Sequence, residues 1–237
     1  MTRRRWIADE TSGSHAALTG EHAQHLARVL RARVGQEFDI AAGEKVRRGR
    51  ISSITDDRVE FELGEELSAP LGPRITLVLS IFKFDRMEWA IEKCTELGVS
   101  RIIPLIARRT DSHLAAAAAK RVERWQRIAR QAAEQSRQPS PPEIVQPTKL
   151  KDALALEASI RIVLAESERQ TMLKDVLQVH PPDDLVLAVG PEGGWTESEL
   201  AMFRETGWVS ASLGDNILRA ETAAIAALAI VISELQH

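Results

Sequence analysis

Two glycine-containing segments near the end of the chain hold the residue types that could bind a small molecule. The first is Gly-Pro-Glu-Gly-Gly, residues 190–194, directly after the apolar run 185–189. The second begins at Leu213 and Gly214 and leads into an apolar segment from about Arg219. Glycine lets the backbone turn sharply and approach a ligand closely. Because open α/β sheets bind ligands in loops at the carboxyl ends of their strands, the two segments together predict a small-molecule site.

Each segment has the pattern of a strand, a loop and a helix. The apolar run before Gly190 is typical of a strand that is covered on both faces. Thr196 precedes Glu199 by three residues, which is the spacing of a helix capping box. Either segment alone could be an ordinary strand-to-helix turn, but the pair is more specific.

The chain from residue 73 onwards alternates between apolar strands and helical segments. This pattern predicts an α/β domain with a mostly parallel sheet and helices on both faces. Neither a dinucleotide-binding fingerprint after the first strand nor a P-loop lysine motif is present. The predicted strands are 75–82, 101–107, 160–166, 185–190 and 209–213, and the predicted helices are 85–97, 114–137, 149–158, 196–206 and 219–235.

The first 70 residues form a different pattern, with alternating strand-like runs and one helix over 22–31. Residues 68–73 contain two prolines and a glycine and are predicted to be a linker. The sequence therefore predicts two domains, a small β-rich module over 1–70 and the α/β domain over 74–237.

Composition narrows the class of protein. The net charge of −3 does not by itself indicate a nucleic-acid-binding protein. Basic residues are nevertheless clustered: positions 28–50 contain seven basic and three acidic residues, and positions 108–137 contain eight basic and three acidic residues. These clusters are either phosphate-binding surfaces or solvated faces.

A single cysteine, Cys94, excludes a disulfide framework and a paired-thiolate zinc site, and no metal site is predicted. The sequence has no signal-peptide pattern and no membrane-spanning stretch, so a cytoplasmic protein is expected.

The two C-terminal segments resemble the motifs of the SPOUT methyltransferases, and more narrowly those of the ribosomal RNA small subunit methyltransferase E family. The family patterns GPEGG and LG-x-x-ILR-x-ETA match residues 190–194 and 213–223 without a gap. Residues 25–35, 82–99 and 125–136 are also similar to family segments, although Phe84 stands where the family commonly has glycine. The resemblance implies a SPOUT-type α/β domain with a C-terminal trefoil knot and an N-terminal PUA-like β-barrel that binds RNA.

The same resemblance implies a homodimer that uses S-adenosylmethionine to methylate N3 of a uridine in 16S rRNA of the small ribosomal subunit. Backbone groups of both loops would hold the adenosine, with Leu164 as a further wall. The implied cofactor-binding residues are Leu164, Gly190, Glu192, Gly193, Leu213, Gly214, Ile217 and Leu218.

Arg219 and Glu221 are the implied catalytic residues. Neutral uracil carries a proton on N3, and the negative charge left by its removal would be stabilised by a fixed guanidinium, for which Arg219 is placed beside the cofactor. Arginine is too basic to remove the proton. Glu221 could be the base, cap the helix or pair with Arg219; Glu192 could orient Arg219 or brace its turn; water or hydroxide could also be the base.

RNA contacts are expected from five arginines, of which three lie in the small module and two follow the second strand of the α/β domain: Arg28, Arg31, Arg33, Arg108 and Arg109. Two other functions are open. One is a SPOUT ribose 2′-O-methyltransferase acting on rRNA or tRNA, which would carry a different second loop. The other is a non-catalytic RNA-binding ribosome-assembly factor, which would be expected to have damaged cofactor loops.

Overall fold

The computed structural model describes residues 5–42, 45–67, 73–179 and 182–235, which form two compact units. The first unit comprises Met1–Leu71 with Ala133–Ser140, and the second comprises Gly72–Ala132 with Pro141–His237. Of the predicted linker, residues 68–72 lie outside the described residues. The boundaries 1–70 and 74–237 therefore stay a prediction.

The first unit is built on a six-stranded sheet whose neighbours are antiparallel except for one parallel pair at its edge. Alternate strand residues such as Leu18, Ile40 and Phe61 are fully buried and share one core with Leu26 of the helical segment. The elements are β1 (Arg5–Ile7), β2 (Glu10–Ser12), β3 (His15–Thr19), α1 (Gly20–Gln24), a π-helix (His25–Val29), β4 (Glu37–Ala42), β5 (Lys45–Ile54) and β6 (Arg58–Leu67). Their order in the sheet is β1-β4-β5-β6-β3-β2.

The second unit alternates strands and helices, as the sequence predicts. Its strands are β7 (Arg74–Ser80), β8 (Arg101–Ile106), β9 (Glu143–Ile144), β10 (Thr148–Lys149), β11 (Ile160–Leu164), β12 (Asp184–Val189) and β13 (Val209–Ala211). Its helices are α2 (Phe84–Glu96), α3 (Ser112–Ala118), a 3-10 turn (Ala119–Arg121), α4 (Val122–Ser136, whose last four residues belong to the first unit), α5 (Leu150–Leu154), α6 (Leu173–Val179), α7 (Glu197–Glu205) and α8 (Ala220–Leu235).

Every pairing in the sheet of the second unit is parallel, which confirms the predicted architecture. The order is β10-β8-β7-β12-β11-β13, with β9 beside β8. Strand β12 shows why both faces are covered: Leu185, Leu187 and Val189 pack in one core, whereas Val186 and Ala188 pack in the core on the opposite face. The carboxyl ends of β12, β11 and β13 therefore lie side by side.

Several predicted elements differ from the structure. The single helix expected over 114–137 is divided into two by a 3-10 turn at Ala119–Arg121. The high helix propensity of the alanine run gives no sign of this break, which lies between the buried residues Ala118 and Val122. The helix expected over 149–158 ends at Leu154, and α6 was not predicted because only Leu173 and Leu177 mark its buried face. The helix expected over 22–31 is an α-helix followed by a π-helix.

The single cysteine is part of the core, as its helical spacing predicts. Cys94 is fully buried, and burial raises the pKa of its thiol to about 12.

No helix in the described ranges is long and apolar enough to cross a membrane. The same residues contain no group of three His, Cys, Asp or Glu side chains arranged to hold a metal ion.

A substitution at Gly49 on β5 tests how tightly the first unit is packed. A Cβ at this position would lie 2.3 Å from Cγ1 of Ile40, so we expect Gly49→Ala to lower the free energy of unfolding by about 1–3 kcal/mol. Gly64→Ala is the matched control, since its Cβ would meet only ordinary contacts at 3.5 Å. Urea unfolding of both variants checks this, and equal midpoints would contradict it.

Candidate functional site

A cavity of about 530 Å³ lies at the carboxyl ends of β11, β12 and β13. Three loops form most of its wall, and they follow Leu164, Val189 and Ala211 respectively. All eight predicted cofactor-binding residues line this cavity, as does Arg219. The parallel sheet thus brings together predicted site residues that are far apart in the chain, since Leu164 and Arg219 are separated by 55 positions. Side chains from Lys83, Arg86 and Arg109 complete the rim.

The first loop is held by a tryptophan that packs beneath its first glycine. The indole N–H of Trp195 donates a 2.9 Å hydrogen bond to the carbonyl of Leu164, which joins the ends of β12 and β11. A Cβ on Gly190 would lie 3.1 Å from that indole nitrogen, a tight contact that would require the ring to shift by a few tenths of an ångström. Gly194 has a φ of +69°, which side chains other than glycine adopt at a cost.

The predicted capping box is present at the start of α7, and its glutamate also contacts the loop after β8. The Thr196 hydroxyl accepts from the backbone N–H of Glu199, and the Glu199 carboxylate accepts in return from the Thr196 N–H at 2.8 Å. The other oxygen of this carboxylate accepts from the backbone N–H of Arg108, also at 2.8 Å. Glu199 is buried, and its carboxylate has three backbone and hydroxyl donors. The start of α7 is therefore anchored to the loop after β8.

Arg109, predicted to contact RNA, braces the glycine loop. Its Nη1 donates to the carbonyl of Gly193 at 2.6 Å and to that of Trp195 at 3.3 Å. A Cβ on Gly193 would come within 3.3 Å of Arg109 Cδ. A side chain at Gly193 would thus displace this arginine as well as narrow the cavity. The predicted RNA contacts of Arg109 and of the exposed Arg108 stay predictions.

The second loop presents both apolar and cationic side chains to the cavity. Gly214 has a φ of +119°, and its N–H donates to the hydroxyl of Ser212 at 3.1 Å. Ile217 is 82% exposed, an unusual position for a large aliphatic side chain. The carbonyl of Arg219 accepts from the N–H of Ala223 at 2.8 Å, which places Arg219 at the N-terminus of α8. Its side chain is exposed at the cavity.

Arg86 connects the two loops, a role that sequence reasoning missed. It lies in the first turn of α2, and its Nη1 donates to Oε1 of Glu192 at 2.7 Å. Its Nε lies 3.7 Å from Oε1 of Glu221, a residue of the first turn of α8. The family-like segment over 82–99 contains Arg86, but the resemblance singled out its neighbours. In the described part of the chain, Glu192 thus pairs with Arg86, and Arg219 forms no ion pair.

Glu221 is buried beside this arginine. Its side chain is only 5% exposed, and Oε2 has no hydrogen-bond partner among the described residues. Glu221 is not among the residues that line the cavity, whereas its neighbours Arg219 and Ala220 are. A buried carboxylate requires compensation, which the Arg86 guanidinium and the N-terminal end of α8 provide here.

The three arginines predicted to bind RNA in the first unit are all exposed. Arg28 forms an ion pair with Asp56 at 3.3 Å, and both side chains are largely in solvent. No described residue forms an ion pair with Arg31 or Arg33. These positions leave their guanidinium groups accessible to phosphates.

Known protein families match most of the chain. A family model described as RNA methyltransferase domain matches residues 69–232, and one described as RNA methyltransferase PUA domain matches residues 18–64. The ribosomal RNA small subunit methyltransferase E of Synechocystis sp. is 33% identical over 226 residues, which cover 92% of this chain and 73% of that protein. The chain belongs to the ribosomal RNA small subunit methyltransferase E family. The fold predicted from the resemblance, a mostly parallel α/β domain with a PUA-like N-terminal domain, is confirmed at this level.

Two solved structures of similar proteins extend the likeness to three dimensions. The family member from Neisseria gonorrhoeae, crystallised bound to S-adenosyl methionine, is 33% identical with a TM-score of 0.83 and covers 96% of each chain. A Legionella pneumophila protein in complex with the bound cofactor SAM is 28% identical with a TM-score of 0.80 and covers 98% of each chain.

A mutant cycle tests the role of Arg86. We expect Arg86→Gln to lower the free energy of unfolding by about 1–3 kcal/mol, because it leaves the Glu221 charge buried without a cation. Glu192→Gln, which breaks a more exposed pair, should cost less than about 1 kcal/mol. The double variant Arg86→Gln/Glu221→Gln should recover most of the loss, as measured by urea unfolding. Additive effects would show that Arg86 does not compensate Glu221.

Proposed function

We propose that this protein is an S-adenosylmethionine-dependent methyltransferase that methylates N3 of a uridine in 16S rRNA of the small ribosomal subunit. The observation that carries this proposal is the cavity, because two of the three loops that form most of its wall carry the residues that resemble the family motifs. Relatives with the same fold were crystallised with the cofactor, which supports the same ligand here.

The cavity suits S-adenosylmethionine. Its volume of about 530 Å³ lies within the range of small-molecule sites, roughly 300–1,000 Å³. Adenosine requires an apolar slot and a few backbone hydrogen bonds, and the loops place aliphatic side chains beside glycine backbone at the cavity. We assign the contacts to Leu164, Gly190, Glu192, Gly193, Leu213, Gly214, Ile217 and Leu218. When bound, the cofactor supplies an electrophilic methyl group on its sulfonium.

Arg219 is proposed to stabilise the uridine anion. Loss of the N3 proton places negative charge on N3 and on the two flanking carbonyl oxygens. A guanidinium at the cavity wall can donate to these oxygens, and the N-terminal dipole of α8 adds to the positive potential. Because Arg219 makes no ion pair among the described residues, its charge is available to the substrate.

Glu221 is proposed to act by position rather than as the base. Its carboxylate is buried away from the cavity lining and lies beside Arg86, two residues from Arg219. It therefore holds the first turn of α8, from which Arg219 projects, against α2. In this mechanism, solvent water or hydroxide takes the N3 proton.

We also propose that the C-terminal segment is knotted. The carbonyl of Ala211 accepts from Ala165 N–H at 3.0 Å, whereas the next residue, Ser212, donates to Thr171 and accepts from Leu173, each at 2.9 Å. Backbone groups of successive extended residues point to opposite sides. The chain at 211–212 is therefore hydrogen-bonded to the end of β11 on one side and to the segment 171–173 on the other, an arrangement that supports a passage of the chain through the loop between them.

The remaining parts of the proposal concern partners and organisation. A PUA-like β-barrel domain over 1–70 and a methyltransferase domain over 74–237 would both contact rRNA. Phosphate contacts are assigned to Arg28, Arg31, Arg33, Arg108 and Arg109. The functional form would be a cytoplasmic homodimer that needs no metal ion.

Methyl transfer to 30S subunits from cells that lack the modification tests the activity. Purified protein and labelled S-adenosylmethionine should yield 3-methyluridine in 16S rRNA, identified by mass spectrometry. Label on a ribose would favour the 2′-O-methyltransferase instead. Absence of label together with absence of cofactor binding by calorimetry would favour a non-catalytic assembly factor.

Arg219→Ala tests the anion-stabilising role. We expect kcat to fall by about 100-fold or more, while the affinity for S-adenosylmethionine stays within a few-fold, because the guanidinium acts on the uridine. Arg204→Ala on the exposed side of α7 is the matched control and should retain activity. Retained methyl transfer by the Arg219 variant would exclude this role.

A further inference from the structure

The segment after α1 has an irregular backbone. The π-helix His25–Val29 brings the N–H of Leu30 to the carbonyl of His25 at 3.1 Å, and the N–H of Ala32 reaches the carbonyl of Leu26, also at 3.1 Å. Leu26 is fully buried, and Ala32 packs against the same core. These two anchors fix the ends of the turn. π-Helical turns occur frequently at functional sites.

Arg31 closes this turn with a φ of +51°, a left-handed conformation that favours glycine. Elsewhere in the first unit, a positive φ is found at glycines such as Gly13 and Gly20 and at one other arginine, Arg137, with a φ of +61°. A side chain with this φ carries a conformational cost, which the packing of Leu26 and Ala32 in the core offsets. The Arg31 side chain is exposed.

Large aliphatic side chains are exposed around this arginine. Val29 is 65% exposed, Leu30 41% and Val34 63%, which makes this segment the densest group of exposed aliphatic residues that the structure describes. Arg28, Arg31 and Arg33 alternate with them along the chain, so exposed aliphatic and cationic residues share one short segment. We call residues 28–34 the 28–34 surface. A surface that combines exposed aliphatic residues with cations fits a partner that combines flat apolar groups with negative charge.

We infer that the 28–34 surface binds an unpaired segment of RNA, with Val29, Leu30 and Val34 packing against bases and the arginines contacting phosphates. This inference rests on the proposed function and adds base contacts to its phosphate contacts. Unpaired RNA exposes base faces that duplex RNA conceals, so the aliphatic side chains would favour loops or unpaired ends. The left-handed Arg31 would bring its charge to the same side as the aliphatic group.

Binding measured as a function of salt separates the two kinds of contact. With 16S rRNA as the probe, we expect Val29→Ser/Val34→Ser to weaken binding by about fivefold or more at every salt concentration without changing the salt slope, because base packing releases no counterions. Arg28→Gln/Arg33→Gln should instead reduce the slope of log K against log salt by about 1.4, the value for two phosphate contacts to a single strand. Met202→Ser, a change of an exposed apolar residue on α7, is the control and should bind as wild type.

Arg31→Gly tests the strained position. Glycine removes the conformational cost, so the melting temperature should rise by about 2 °C while RNA binding weakens several-fold. A variant that is stabilised and binds RNA as tightly as wild type would show that the guanidinium has no role at the interface. The rise in melting temperature separates this case from a misfolded variant.

The outcomes distinguish this inference from the proposed function. Wild-type binding by the serine double variant, together with weakened binding by the arginine variant, would overturn the base contacts and keep rRNA as the partner. Failure of the wild-type protein to bind 16S rRNA or 30S subunits would overturn the proposed function as well. A change in the oligomeric state of the serine variant, measured by sedimentation, would assign the 28–34 surface to a contact between copies of the chain.

Discussion

The hydrogen bond from the indole N–H of Trp195 to the carbonyl of Leu164 is the contact on which the cavity depends. It joins the ends of two neighbouring strands at a point where a loop alone would leave a buried carbonyl unpaired. It also places the indole ring against Gly190, where an added Cβ would make a tight contact. The carbonyl of Trp195 itself accepts from Arg109, so the glycine loop is held from both sides.

Electrostatics connects this loop to the second one. Arg86 lies between a half-exposed carboxylate, Glu192, and a buried carboxylate, Glu221. The pair in solvent contributes little to stability, whereas the buried charge would be costly without the arginine. This arrangement links the first turns of α2 and α8, whereas Arg219, exposed at the cavity wall, forms no ion pair with any described residue. The same region therefore contains one compensated buried carboxylate and one exposed guanidinium.

The two units use different means to present arginine. In the second unit, Arg109 is bound to backbone carbonyls and has a defined geometry. In the first unit, Arg31 has a left-handed backbone conformation, and nearby Leu26 and Ala32 pack in the core of that unit. Its side chain is exposed and forms no ion pair with a described residue.

The sequence by itself determined the parallel α/β architecture, the strand ends that form the site, and both glycine loops, because apolar periodicity, glycine and capping residues act over a few neighbouring positions. The capping box at Thr196 and the burial of Cys94 followed from spacing alone. Only the tertiary structure decided that Arg86 pairs with Glu192 and approaches Glu221, and that Arg109 holds the loop. These contacts join residues as far apart as 135 positions, and no local pattern records which distant side chains the packing of helices and strands brings together.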